Sequence, residues 1–527
     1  MTPRTTVNEL DVDESGLHAL VVARDDILLE DLRSADPSGH DFHFGCAEGP
    51  FTTYERTVHA DRLDDGGYHV REEITWDIAI PLWGVLFRPL VGRQLRRTGP
   101  PEVLDEDAAA QRAPWWSPPA RLDARSSSIL SLLCGLSMLT GYLGTTITQT
   151  MTYAAKEFGA STAQQGATLA AVRVGVLLSL VLVTISDRRG RKKLLLVCAV
   201  GGVAASVAGA ASPGLIALGS TQTVARAFAT ALAVLIGVVS VEEMPAGGRA
   251  YAASVLAMTA ALGAGMAVIL LPVADLGPSA WRIVYVVPLL GLPFFIRLAR
   301  RIPESRRFTR PHGRASLRGH RGRLALLACT SFFGLVFLAP VSQFQNEFLR
   351  AEHGFTAVQL TIFTLATNTP GGIGIVIGGR LADLRGRRMV GAVASVGGAI
   401  LLAVGYQVSG AALWLAWMAG TVVAAATVPA LGVYGAELFP TALRGRANGL
   451  ITLAGVVGSS VGLILAGRLE THFGSFGPGM AILAIGPMVV AALVITRYPE
   501  TAHVELEVLN PEDSLDGGAA AVPPPML

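Results

Sequence analysis

Three charged motifs occur twice in this 527-residue chain. Asp187-x-x-Gly190-Arg191 returns as Asp383-x-x-Gly386-Arg387, and Glu242-x-x-Pro245-x-x-x-Arg249 returns as Glu437-x-x-Pro440-x-x-x-Arg444. Pro303-Glu304-Ser305, followed by Arg306, returns as Pro499-Glu500-Thr501. Each second copy lies 195 or 196 residues after the first, so the chain is an internal repeat. Carboxylates and guanidinia at fixed spacing can pair electrostatically. No nucleophile, metal-ligand cluster or phosphate-binding loop accompanies them, so neither an enzyme nor a cofactor is expected. The four cysteines, Cys46, Cys134, Cys198 and Cys329, show neither metal nor disulfide spacing.

A second set of polar residues interrupts apolar runs. Tyr142, Thr145, Thr146, Thr148 and Gln149 form one group, Gln343, Gln345 and Asn346 another, and Thr367 and Asn368 a third. At the midplane of a membrane such groups hold a solute or join helix to helix. Arg173 and Arg226 precede Asp187 and Glu242 along their runs, about 21 and about 24 Å up a helix at 1.5 Å per residue. A charge inside a span is costly and marks a candidate site, with snorkelling to the far interface as the alternative. No Asp or Glu occupies the middle of a run, and Glu347, Lys156 and Glu157 lie toward the far face. Protons therefore remain an open partner, and arginines without acids suit an anionic organic substrate.

Composition says what must position these residues. Half of the chain is hydrophobic (51%) and only 16% is charged, too apolar for a soluble protein. From Ile129 onward, runs of about 20 residues recur, each long enough to cross a bilayer. They fall near 129–153, 165–186, 194–212, 217–240, 251–273, 283–301, 324–347, 358–381, 390–408, 411–434, 447–468 and 478–496, which makes twelve. Arginine and lysine crowd the connections after even-numbered spans and are nearly absent after odd ones. The positive-inside rule then places both termini in the cytoplasm. Only three of the 42 basic residues are lysine, a hint of a GC-rich bacterial genome and so of a bacterial inner membrane. With the charge segregated into loops, nucleic acid is not an expected partner; the bilayer and a small organic solute are.

Residues 1–125 are soluble in character and open without a secretory signal. Phe51–Ala60 and Gly67–Ile80 read as strands about an Asp64–Gly67 turn. In the second, Tyr68, Val70, Ile74, Trp76 and Ile78 share one face at period two. Pro81–Arg97 reads as an amphipathic helix, apolar at Leu82, Val85, Leu86 and Leu90 and basic at Arg88, Arg93, Arg96 and Arg97. Its pattern resembles the C-terminal part of the helix-grip lipid- and polyketide-binding domains, which would imply a lipid-like ligand; the alternative is a small capping domain. A Pro-rich linker with Trp115 and Trp116 follows. The tail after Thr501 is acidic, then Pro-rich, and is expected to be disordered.

The DRRGRKK loop, PESRRF at Pro303–Phe308, ELFPTALRGRANG at Glu437–Gly449 and the closing PET resemble the major facilitator superfamily, within it the sugar-porter-like branch. The likeness covers about residues 127–502. It implies an all-α membrane protein of twelve transmembrane helices in two six-helix bundles that rock about a central cavity, here preceded by a small soluble α+β domain. The divisions are then 1–100 for that domain, 101–126 for the linker, 127–301 and 324–498 for the bundles, 302–323 for the basic loop and 499–527 for the tail. The resemblance also makes a cytoplasmic gate of Asp187, Arg191, Glu242, Arg249, Glu304, Arg306, Asp383, Arg387, Glu437, Arg444 and Glu500. One exposed ion pair contributes only about 0.2–1 kcal/mol. Several together bias two conformations that differ by a few kcal/mol, so the expected network holds an outward-open state shut below. Gln343, Gln345 and Asn346 resemble the sugar-contacting residues of the family's seventh helix. With Tyr142, Gln149, Arg173, Arg226 and Asn368 they are the candidate substrate site.

Val183 stands where the family's loop motif has Gly, Leu384 where a basic residue is usual, and the first span lacks the acidic residue common in proton-coupled sugar porters. The expected function is a secondary active or facilitative transporter of a sugar-like metabolite or organic acid. A drug or metabolite exporter, or a membrane sensor or scaffold whose N-terminal domain binds the ligand, are the alternatives. Gate motifs in both halves argue against a pure sensor.

Overall fold

The computed structural model describes residues 3–36, 40–64, 66–96, 114, 116–118, 121–245, 249–303, 317–439 and 443–501. Most of the Pro-rich linker, the basic loop from Glu304 to Ser316 and the tail after Thr501 lie outside the described residues.

The N-terminal region runs β1 (Arg4–Val12), α1 (Glu14–Val21), β2 (Leu29–Ala35), β3 (Asp41–Glu48), β4 (Phe51–Arg62), β5 (Tyr68–Ile78) and α2 (Gly84–Leu95). The strands form one antiparallel sheet ordered β1-β5-β4-β3-β2, so the first strand closes against the last. The expected hairpin is β4–β5, turning through Gly66 at φ 88°. The first three strands and α1 were not expected. The Asp13 carboxylate starts α1 by accepting the Gly16 N–H at 2.8 Å, the usual satisfaction of an orphan helix donor.

Phe51, Tyr54, Ile74, Trp76 and Ile78 of the sheet pack against Val91 and Leu95 of α2. Glu72, which breaks the apolar period of β5, is also buried on the sheet. Its partner is Arg56 on β4, whose Nη1 donates to Glu72 at 3.2 Å, while Nε and Nη2 donate to the two oxygens of Glu30 at 2.9 and 2.7 Å. The remaining N–H groups reach the carbonyls of Leu20 and Val22 at 2.9 and 3.0 Å, and the guanidinium lies 4.2 Å from the Phe44 ring centroid. Charges persist in an apolar interior when they are paired this fully. Of the apolar residues of the amphipathic pattern, Leu82 packs on the first bundle while Val85, Leu86 and Leu90 are exposed; Gly84, Val91 and Leu95 are the buried residues of α2. An amphipathic pattern marks a stripe but not which neighbour covers it.

Among the described residues, twelve segments are long and apolar enough to cross a membrane. Spans 1 to 6 are Ala124–Phe158, Thr162–Val183, Arg191–Ala210, Leu215–Ser240, Tyr251–Leu276 and Arg282–Arg301. Spans 7 to 12 are Arg321–Gln343, Ala357–Gly379, Arg387–Gly405, Gly410–Leu431, Ala447–Phe473 and Phe476–Arg497. Each overlaps the expected segment. Packing repeats as the sequence does: span 1 lies on span 5 as span 7 lies on span 11, and span 2 on span 4 as span 8 on span 10. Close approach is built the same way in each half. A Cβ at Gly263 would come within 1.9 Å of the Met138 carbonyl, and one at Gly462 within 2.1 Å of the Val336 carbonyl. Contact between small residues and backbone is how helices associate without a hydrophobic drive.

The two arginine-rich hairpins are also copies. Gly190 has φ 91° and ψ 143°, and Gly386 has φ 91° and ψ 142°, a conformation that glycine alone adopts cheaply. At Gly386 a Cβ would also come within 2.7 Å of Glu500 Oε2. Gly386→Ala should therefore cost about 1–3 kcal/mol of backbone strain and lower the thermal unfolding midpoint of the detergent-solubilised protein. Gly265→Ala, a helical position with open space around it, should not lower it.

The Arg56 cluster makes a second prediction. Arg56→Met strands two buried carboxylates, and breaking such a pair costs about 3–5 kcal/mol. Hydrogen–deuterium exchange on the full-length protein should accelerate across residues 4–95 and leave the spans unchanged.

Candidate functional site

Those residues of the repeated charged motifs that are described sit at the end of the bundle that carries the basic hairpins. In the second half, Arg387 at the start of span 9 holds the Glu437 carboxylate, and its Nη1 also donates to Thr501 Oγ1 at 3.1 Å. Glu500 accepts the main-chain N–H of Arg387 at 2.9 Å and of Arg388 at 3.2 Å. A carboxylate there satisfies orphan donors and the positive end of the helix dipole together. In the first half, Arg125 Nε donates to Glu243 Oε2 at 3.1 Å. Glu243 falls one residue outside the repeated motif of Glu242, and only its burial beside Arg125 singles it out. Arg191 opens span 3 at the position Arg387 takes on span 9. The side chains of Asp187, Glu242, Arg249, Asp383 and Arg444, and all of Glu304 and Arg306, lie outside the described residues. Both ion pairs described here, Arg125–Glu243 and Arg387–Glu437, join groups of one half.

At the opposite end the halves lock together. Asp275, in the 3-10 helix Leu271–Leu276 that ends span 5, accepts from Arg350 at 3.2 Å and from the Ala357 N–H that opens span 8 at 2.7 Å. The Arg350 guanidinium lies 4.1 Å from the Tyr153 ring centroid of span 1, a cation–π contact across the halves. Thr361 Oγ1 donates to the Val268 carbonyl at 2.9 Å, and a Cβ at Gly166 of span 2 would come within 2.6 Å of the Leu463 carbonyl of span 11. Asp275 and Arg350 are 75 residues apart, and nothing in their spacing announces them.

Beneath this seal lies a cavity of about 610 Å³. Its roof is made where span 1 meets the end of span 7. Thr148 Oγ1 donates to Gln343 Oε1 at 2.7 Å, and Asn346 Nδ2 donates to the carbonyl and Oε1 of Gln149 at 3.1 and 2.9 Å. Its polar lining includes Thr145, Thr148, Gln149, Gln343, Gln345, Asn368 and Thr421, and its apolar lining includes Trp417, Phe337 and Leu335. The lining continues to Thr330 and Leu431, toward the basic end.

Of the eight candidate substrate residues, Gln149, Gln343, Gln345 and Asn368 line this cavity. Asn346 is buried behind the roof and braces Gln149. Tyr142 instead donates its hydroxyl to the Val284 carbonyl at 2.6 Å, joining span 1 to span 6. Neither arginine is in the described lining. Arg226 lies just behind it: its Nη1 would stand 3.3 Å from a Cβ at Gly144, which does line the cavity. In the N-terminal domain, residues of the sheet and of α2 pack against each other in one apolar cluster.

A sequence profile described as Sugar (and other) transporter matches residues 123–320, and one described as Major Facilitator Superfamily matches residues 324–515. No curated protein matches the chain. Among solved structures, the xylose transporter XylE from E. coli, in an inward open conformation, is 17% identical with a TM-score of 0.62, over 73% of this chain and 99% of that one. The nucleoside transporter NupG is similar at 14% identity and a TM-score of 0.60, over 70% and 99%. A bacterial homolog to the human lysosomal transporter Spinster, inward-facing, gives 15% and 0.59, over 75% and 99%. These likenesses are of fold. With two bundles that repeat in sequence and packing, a central cavity, and a profile match in each half, the chain belongs to the major facilitator superfamily.

Proposed function

We propose that this transporter of small solutes carries a neutral, polyhydroxylated, sugar-like molecule by alternating access. The cavity lining carries the reading: its described polar side chains are hydroxyls and carboxamides, with one indole face. Such groups both donate and accept, which matches a solute rich in hydroxyls, and the indole suits the apolar face of a sugar ring. An organic acid is the second reading, favoured by Arg226 one glycine behind the wall. The basic end is cytoplasmic by the positive-inside rule, in a bacterial inner membrane, so the structure is read as inward-facing. In the opposite state the two charged clusters at that end, now satisfied separately, close on each other and form the gate.

Uptake into proteoliposomes from a panel of sugars and organic acids tests this. Gln343→Ala and Asn368→Ala should each weaken apparent affinity for the transported sugar by about 2- to 12-fold, the worth of one neutral hydrogen bond of about 0.5–1.5 kcal/mol. Accumulation of acids alone, abolished in Arg226→Ala, would install the second reading.

Protons enter through the outer seal. Glu347, on the short helix Gln345–Ala351, has its Oε2 buried without a hydrogen-bond partner. Burial raises the carboxyl above its ordinary value, and Glu470 of span 11 pushes the same way, while Thr152 of span 1, Gln165 of span 2 and Arg350 pull it back down. Opening the seal wets Glu347 and returns it to the ordinary carboxylate range, so the raised value belongs to the sealed state. A bound proton therefore favours the sealed, inward-facing state. That bias is complete below the ordinary glutamate value and fades as pH rises through the raised one. Acidification should enlarge the inward-facing fraction, measured by labelling from the outer side. In Glu347→Gln the fraction should stay high and insensitive to pH.

A further inference from the structure

We propose that α2 lies in the headgroup layer of the leaflet at the basic end and binds anionic lipid there, anchoring the N-terminal domain beside the first half. The exposed stripe of the helix is Val85, Leu86, Pro89, Leu90, Arg93 and Arg96, one face at helical spacing. Val85 is 74% exposed, Leu86 63% and Leu90 41%. The opposite face is occupied, with Val91 and Leu95 buried against the sheet.

Two contacts set the depth of this helix. The Leu82 N–H donates to Ser131 Oγ of span 1 at 3.2 Å, and the Leu82 side chain would stand 2.9 Å from a Cβ at Gly135. The Phe87 ring packs on Trp116 at 6.4 Å between centroids, and the Trp116 carbonyl accepts the Tyr251 hydroxyl at 3.2 Å. Ser131 stands near the start of the apolar run of span 1, and Tyr251 opens span 5. Both pins therefore sit where hydrocarbon begins, and the first turns of α2 run along that boundary.

At this depth the stripe has a natural occupant. Apolar side chains at one end enter the acyl boundary, while Arg93 and Arg96 at the other reach phosphates. Arg88, on a different side of the helix, is held by Asp77 at 2.7 Å and takes no part. A second copy of the chain fits poorly. Its apolar contribution would be a few side chains, well short of the roughly 800 Å² per partner of a stable interface, and the arginines of two copies would meet.

The test uses the full-length protein in vesicles of mixed phosphatidylglycerol and phosphatidylcholine. A photo-crosslinking phenylalanine derivative replaces Val85, Leu86 or, as control, Leu32, which is 53% exposed on β2. Lipid adducts should form at positions 85 and 86 several-fold more than at 32. They should be enriched in phosphatidylglycerol over its mole fraction, and Arg93→Glu with Arg96→Glu should remove the enrichment. Lipid adducts at 85 and 86 no more frequent than at 32, or adducts between two chains, would overturn the proposal. Adducts without phosphatidylglycerol enrichment would overturn the anionic-lipid half of it.

Discussion

Hydrocarbon tolerates neither unpaired backbone groups nor stray charge, and the arrangement of this molecule follows from that. Described carboxylates collect at the two ends of the bundle, leaving hydroxyls and carboxamides to line the middle. Strong interactions that can differ between two conformations are thereby confined to the ends. One end is now locked by Asp275, Arg350 and the first turn of span 8. At the other, Arg387, Glu437 and Glu500 are satisfied within their own half. A protein so divided can exchange one set of end contacts for the other at a net cost of a few kcal/mol, the scale on which a solute can act.

The parts that were legible in the sequence are those whose physics is periodic or local. Span length is set by bilayer thickness, so twelve apolar runs could be counted and their limits placed within a few residues. The hairpin glycines were legible because only glycine takes φ near 91° cheaply, and both copies kept it. Contacts that depend on docking were not legible. Glu72 is a gap in the apolar face of β5 that only the diagonal neighbour Arg56 on β4, which stands opposite Ile74, explains. Val85, Leu86 and Leu90 form a genuine stripe, yet the sheet covers the other side of α2. Glu243 was passed over for its neighbour because a motif fixes spacing and not burial. Asp275 and Arg350 meet only because the halves close, and neither lies in a repeated motif.

The repeat is exact enough in backbone to give matching hairpins but unequal in chemistry. Leu384 replaces the basic residue of the first hairpin, and Glu500 caps span 9 through two main-chain N–H groups. The cavity is unequal too. Spans 7, 8, 9, 10 and 12 supply most of its lining, and span 1 supplies Gly144, Thr145, Thr148 and Gln149. Among the described residues the second half thus supplies most of the cavity wall, and the first supplies one helix. Thr148 and Gln149 both line the cavity and hold its roof, so the same side chains belong to the cavity wall and to the contact between the halves.

The N-terminal domain belongs mechanically to that first half. Leu82 rests on span 1, Trp116 takes the hydroxyl at the start of span 5, and Leu82 and Trp83 pack into the apolar cluster of the first bundle. Both hydrogen bonds run to spans of the first half, 1 and 5, so a displacement of one half against the other carries the sheet with the first half.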